Sequence, residues 1–318
     1  MMKKTINYST TLLMTTFLSL FLLSSCTKPK FDSPVKFAGD KWVSAKTLNL
    51  GYETYMGYCM QCHGIEGDGK GPAAYGAYPP PRNFKEGLFK FAQVETGSLP
   101  RDIDLKHTIR YGLKGTPMLP WDMSDKRLNA VVQYIKTFSE VWQEEEAGEV
   151  LSESKDPFGP EKYDMAVDLG KKAYHGVGKC WTCHPSYVPK NEINLYSKEL
   201  TGDGANEFRK NMHIGVTAAS SYGVNFTPPD YTNNWIKTGG DVVSNYRLLN
   251  SGVNGTAMAA WKGMLSSTGD EKESEKYQWA IAYYLNYLSK LKFNHNKRKA
   301  FFAKLKSQIQ KDSTPKEQ

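Results

Sequence analysis

The sequence predicts an all-α protein of two homologous domains, and three observations carry that prediction. The segment "RYGLKGTPMLPW" at 110–121 returns as "NSGVNGTAMAAW" at 250–261; Gly112, Gly115, Thr116, Met118 and Trp121 fall on Gly252, Gly255, Thr256, Met258 and Trp261, each shifted by 140. The pattern C-x-x-C-H occurs at 59–63 and again at 180–184, behind similar approaches, "LGYETYMGYC" and "LGKKAYHGVGKC". The periodic stretches, such as "LNAVVQYIKTFS" and "YQWAIAYYLNYLSK", read as helices, and little in the chain reads as strand. Gly- and Pro-rich runs such as "GIEGDGKGPAAYGAYPPP" read as ordered loops, which are uncommon at that length unless they wrap something.

In chain order, residues 1–25 come first. Lys3 and Lys4 precede an apolar run from Leu12 to Leu23, then L-S-S-C ends at Cys26. A charged head, a short apolar core and small residues before a cut site describe an export signal, and the run is short for a bilayer span. The L-S-S-C box resembles the bacterial lipoprotein signal, which implies that Cys26 becomes a lipid-modified first residue and anchors the chain to a membrane. An ordinary secretory signal with an incidental cysteine is the other reading. Residues 26–39 form a tether. The first domain spans 40–145, an acidic, Pro/Gly-broken linker 146–159, the second domain 160–290, and a basic tail 291–318.

Charge separates tail from body. The formal net charge is +8, but residues 290–318 hold nine Lys/Arg against two acids, while residues 26–289 hold 30 basic and 31 acidic side chains. The body is therefore not a nucleic-acid-binding surface. In the tail, Phe301, Leu305 and Ile309 share one helical face among lysines. That face is expected to lie on anionic lipid, to dock an acidic partner, or to stay solvated.

The repeated C-x-x-C-H carries the chemistry. On a helical turn Cys59, Cys62 and His63 project from one face, as do Cys180, Cys183 and His184. Such a face can bond two porphyrin vinyl groups as thioethers and present an imidazole to the iron. A redox dithiol expects a βαβ setting, a disulfide within C-x-x-C leaves the histidine without a role, and zinc needs four ligands where each cluster offers three. The expectation is two covalently bound haem c groups. Met118 and Met258 occupy equivalent Gly-Thr-x-Met turns, and as soft thioethers they suit the sixth iron position, completing axial pairs His63/Met118 and His184/Met258. Core filling is the bland alternative for any methionine.

Both halves resemble class I cytochrome c domains, and the whole resembles membrane-attached dihaem cytochromes c of bacterial respiratory chains. The first half carries the likeness through "CMQCHGIEGDGKGPAA", "PPPRNFKEGLFKFAQVETGSLPRDIDL" and "GTPMLPW". The second departs: Pro185 follows its C-x-x-C-H where glycine is usual, and an insertion carries Met212 and His213. The resemblance implies a proline carbonyl that orients each proximal histidine, at Pro81 and Pro229, with Pro80 and Pro228 the neighbouring candidates. Trp121 and Trp261 are expected at the haem edge or as plain core aromatics. His213 is the first replacement for Met258. The implied function is electron transfer in an exported respiratory chain, between a quinol-oxidising complex or dehydrogenase and a terminal oxidase or reductase, with redox proteins as partners. A dihaem peroxidase-type enzyme with one open haem is the alternative; a sensor would need an output domain that the sequence does not offer.

Overall fold

The computed structural model describes residues 29–313; the predicted export signal and Cys26 lie outside them. The fold is mostly helical. Its first domain opens with a short antiparallel hairpin, β1 (Val35–Phe37) and β2 (Lys41–Val43), with Val35 opposite Val43. Then come α1 (Ala45–Tyr58), the single turn α2 (Met60–His63), α3 (Asp102–Tyr111), α4 (Asp125–Lys136) and α5 (Val141–Glu144). The second domain contains α6 (Tyr163–His175), α7 (Lys190–Thr201), α8 (Val242–Ser251) and α9 (Glu271–Leu291), followed by α10 (His295–Ser313).

Local chemistry starts the helices where the sequence changes character. Ser44 caps α1 by accepting from the Thr47 N–H, Ser124 caps α4, Asp241 caps α8, and Asp270 caps α9 through two backbone N–H groups. Each domain is then built on one crossing of its first long helix over its last, α1 on α4 and α6 on α9. Gly51 and Gly170 make those crossings possible. A Cβ on Gly51 would collide with the Ala130 carbonyl, and one on Gly170 with the Ala280 carbonyl. Around the crossings Leu48, Tyr55, Val131 and Val132 fill one core, and Tyr174, Tyr246, Ile281, Tyr284 and Leu288 fill the other. Each such side chain removed from water contributes about 2 kcal/mol before entropy is counted.

Three segments outside the two helical cores pack against them. In the tether, Phe31 exchanges two hydrogen bonds with Asn49, and the Ala38 N–H donates to the Trp142 carbonyl. The hairpin was not expected, because two three-residue strands leave too short an alternation to read. The linker is a strap pinned to both domains. Leu151 donates to the Gln93 carbonyl on one side, while Ser154 meets the Tyr246 hydroxyl and Asp156 accepts from Tyr283 on the other. In the tail, Leu305 is buried and Phe301 packs near Tyr187, while Gln308 bonds Glu192 of α7. The apolar stripe of α10 therefore rests on the chain's own second domain. Among the described residues no helix is long and apolar enough to cross a membrane.

Candidate functional site

In the first domain α1 runs directly into the C-x-x-C-H. The backbone N–H groups of Cys62 and His63 both donate to the Cys59 carbonyl, at 3.2 and 2.9 Å. One turn thus aims two free thiols and an imidazole from the same face. The Tyr55 hydroxyl, one turn earlier, donates to the Gly64 carbonyl at 2.7 Å and ties the end of that turn to the core. Burial pushes the Cys59 thiol up to about 12, so it stays protonated.

His63 Nδ1 lies 3.0 Å from the Arg82 carbonyl oxygen. Nδ1–H donates, and the lone pair is left on Nε2, as an iron ligand requires. Burial lowers the pKa of the ring, partly opposed by the hydrogen bond to the Arg82 carbonyl. The acceptor expected at Pro81, with Pro80 as neighbour, is therefore one residue later. A backbone carbonyl has no side-chain signature, so residue type could not locate it. The Pro81 carbonyl instead lies against Gly69, where a Cβ would come within 2.7 Å. Phe84 stacks on the imidazole at 4.5 Å and 17°, a contact the sequence did not announce.

The methionine turn is fixed by its threonine. Thr116 Oγ1 donates to the Leu113 carbonyl at 2.7 Å and accepts from the Met118 N–H at 3.1 Å, while the Leu113 N–H donates back to the Met118 carbonyl at 2.8 Å. Met118, Trp121 and Cys59 pack against the same core, with Trp121 edge-on to Tyr58 at 5.4 Å.

The second domain repeats this arrangement with changes. Cys180–Thr182 form a 3-10 turn after Lys179, whose φ is +44°. The His184 N–H donates to the Cys180 carbonyl at 2.8 Å, and the Tyr174 hydroxyl to the Pro185 carbonyl at 2.9 Å. His184 Nδ1 lies 3.5 Å from the Pro229 carbonyl, the long limit of a hydrogen bond; the Pro228 carbonyl faces Gly215. Burial lowers the His184 imidazole to about 4 and pushes the Cys180 thiol up to about 12. Tyr231 stacks on His184 at 5.1 Å and 15°, its hydroxyl 3.4 Å from Nε2. Thr256 builds the second methionine turn with the same bonds, at 2.8 and 3.2 Å. Met258, Trp261 and Cys180 pack against the second core. His213 is exposed, with Nδ1 2.9 Å from the Ser186 carbonyl. Cys183 is the exposed member of its pair.

Arg209, which sequence reasoning missed, holds the second C-x-x-C-H to the insertion. Its guanidinium donates to the carbonyls of Trp181 (2.8 Å), His184 (2.8 Å), Asn211 (2.7 Å), Met212 (3.1 Å) and Ile214 (2.6 Å). A planar five-donor fork suits that task as no other side chain does.

Among the described residues no three His, Cys, Asp or Glu side chains gather into a site for a bare metal ion. The donor sets fit an iron porphyrin instead. Each domain offers two thiols and a neutral imidazole on one turn, and a thioether on a separate turn against the same core.

The fold and this donor set define a c-type cytochrome domain. Residues 46–135 match the family model for cytochrome C oxidase, cbb3-type, subunit III. The first domain is thus a cytochrome c domain, which implies covalently bound haem c and a part in electron transfer. Among solved structures the chain is similar to one in a reducing HAO-like protein complex of Kuenenia stuttgartiensis, at 27% identity and a TM-score of 0.58, over 75% of this chain and 95% of that one. No curated protein matches the chain.

Proposed function

We propose that the protein is an exported, lipid-anchored dihaem c-type cytochrome that carries electrons between a quinol-oxidising complex or dehydrogenase and a terminal oxidase or reductase, as a free carrier or as a subunit. The observation that carries this reading is the duplication of the whole site. Tyr55 and Tyr174, His63 and His184, the Arg82 and Pro229 carbonyls, and the Thr116–Met118 and Thr256–Met258 turns correspond pair by pair. The likeness to the Kuenenia chain extends beyond the family segment into the second domain, and that chain belongs to a protein complex.

When bound, each iron porphyrin supplies a one-electron ferric/ferrous couple. The chain does the rest. Cys59, Cys62, Cys180 and Cys183 would hold the groups covalently. His63 and His184 present Nε2, because Nδ1–H is engaged by a carbonyl. Met118 and Met258 would hold the iron through their thioethers, which would shield it from water and gases and favour the reduced state. Stacked Phe84 and Tyr231 restrict imidazole rotation. Lipid at Cys26 confines the body to a membrane surface and raises its effective concentration at membrane partners. The exposed lysines of α10, Lys297, Lys299, Lys304, Lys306 and Lys311, offer a positive outer face to an acidic redox partner or anionic headgroups.

Intact mass and a haemochrome assay test the reading directly: two haems per chain are expected, and one or none overturns it. Carbon monoxide added to the reduced protein should leave both sites untouched. A fast stoichiometric reaction would favour the peroxidase-type enzyme. Cys26→Ser should release the protein from membranes, and unchanged membrane retention would remove the lipid anchor.

A further inference from the structure

The contact between the two domains is built from repeat-equivalent residues. The Lys114 N–H of the first methionine turn donates to the Lys237 carbonyl of the second domain at 3.0 Å. The Asn254 N–H of the second turn donates to the Lys90 carbonyl of the first domain at 3.1 Å. Lys114 and Asn254 are 140 residues apart, the shift of the turns themselves. Lys90 and Lys237 each stand eight residues after the carbonyl that takes their own domain's imidazole bond. Residue i of one domain thus meets j of the other, and j meets i, the signature of a twofold contact.

The contacts land on the turns that carry the sulfur. Trp235 of the second domain covers Gly115, where a Cβ would lie 2.7 Å from Trp235 Cδ1, and Lys237 Nζ donates to the Gly115 carbonyl at 3.2 Å. At the other turn, Tyr222 covers Gly255 and donates to the Asn254 carbonyl at 2.7 Å. The Arg82 guanidinium of the first domain lies 3.5 Å from the Tyr222 ring centroid. Arg82 is also the residue whose carbonyl orients His63.

The geometry points to mutual positioning: each domain holds the other's methionine turn in place, with Trp235 the positioning residue for Met118 and Arg82, through Tyr222, the positioning residue for Met258. Generic interdomain packing would explain contact, but not why both contacts fall on the Gly-Thr-x-Met turns at corresponding positions. The internal bonds of each turn fix its shape but not its position on the core, so a ligand held by such a turn is only as firm as its cover. The consequence is that neither iron site is complete in its own domain, and separation of the domains loosens both sulfur ligands together. This inference rests on the dihaem reading for its second half only; the Trp235 effect concerns the first site and needs one haem there.

The test uses the full-length, haem-loaded chain with Trp235→Ala, Trp235→Phe and Arg82→Met. In Trp235→Ala, carbon monoxide should bind the reduced first haem at least tenfold faster than in the parent, with a fall in that haem's potential. Amide exchange at Lys114 should accelerate, and the second haem should change less than twofold. Trp235→Phe should restore most of the parent behaviour. Arg82→Met, which keeps the backbone carbonyl that His63 uses, should speed carbon monoxide binding and lower the potential at the second haem. Should Trp235→Ala not fold, Trp235→Leu keeps apolar volume without the ring and carries the same expectation. A folded variant with parent rates, potentials and Lys114 exchange would overturn the inference, and a haem count on the parent decides the dihaem reading separately.

Discussion

The two domains share a site and differ in what supports it. In the first, α1 leads straight into the C-x-x-C-H, and the following loop returns to the His63 Nδ1 within 19 residues. In the second, the same return takes 45 residues, because an insertion containing α7 follows the histidine. The first turn is α-helical and its imidazole bond measures 3.0 Å; the second is a 3-10 turn with a 3.5 Å bond, buttressed from outside by Arg209. What survives in both are the groups that set ligand direction: the tyrosine hydroxyl, the imidazole acceptor, the stacked ring and the threonine-built turn. A cofactor site tolerates new scaffolding provided that each ligand keeps its hydrogen-bond partner.

The largest expected effect tests what the domains share. Gly51→Ala and Gly170→Ala each drive a Cβ into a carbonyl of the opposing helix, and backbone cannot move aside as a side chain can. Each should cost its domain about 3 kcal/mol. On the dihaem proposal, thermal unfolding followed at each haem should show the loss confined to the mutated domain. Equal loss in both from one substitution would mean that the domains unfold as one unit. Next is Arg209→Ala, which leaves the Trp181, His184 and Ile214 carbonyls without the guanidinium donor, while Met212 and Asn211 keep a backbone N–H each, and should cost the second domain about 3 kcal/mol, with little change in the first. Arg209→Lys should recover only part of this, since an ammonium cannot span the same fork. Full recovery by lysine would reduce Arg209 to a charge effect.

Much of this was legible before any coordinates, for identifiable reasons. The repeat exposed the domain pair because Gly112, Gly115, Thr116, Met118 and Trp121 are side-chain requirements of a turn, and such requirements leave a sequence mark. The C-x-x-C-H was legible because helical geometry alone brings its three side chains together. The Arg82 carbonyl was not, since every residue has one. Arg209 was hidden because its partners are backbone oxygens up to 28 residues away, without any period. The tail's apolar stripe was visible, but its cover was not: Phe301 and Leu305 find domain-two surface that only the fold creates.

His175 offers a pH-dependent contrast between the domains. By the alignment of Tyr55 with Tyr174, it stands where the first domain has Met56. It is fully buried, with Nδ1–H donating to the Lys171 carbonyl at 2.7 Å and Nε2 accepting from the Tyr187 N–H at 3.2 Å. Burial lowers its pKa to about 3 from an ordinary 6.5. Below 6.5 the unfolded chain therefore takes up a proton that the folded domain refuses until about 3. The second domain should lose stability as pH falls through that window, by up to about 1.4 kcal/mol per unit, and keep it fully above 6.5. His175→Gln should flatten this slope; an unchanged slope would assign acid sensitivity to other groups.

The smallest effect isolates the one difference at the ligand itself. Phe84 and Tyr231 both stack on the proximal ring, but only Tyr231 brings a hydroxyl, 3.4 Å from His184 Nε2. At that distance the interaction is weak, and the ring stacking, not the hydroxyl, does most to hold the imidazole. Tyr231→Phe should therefore cost the second domain less than about 1 kcal/mol and draw its optical spectrum toward that of the first. A loss well above that figure would mean that the hydroxyl has a firm hydrogen-bond partner when the site is filled. The second site would then differ from the first in its chemistry as well as its scaffolding.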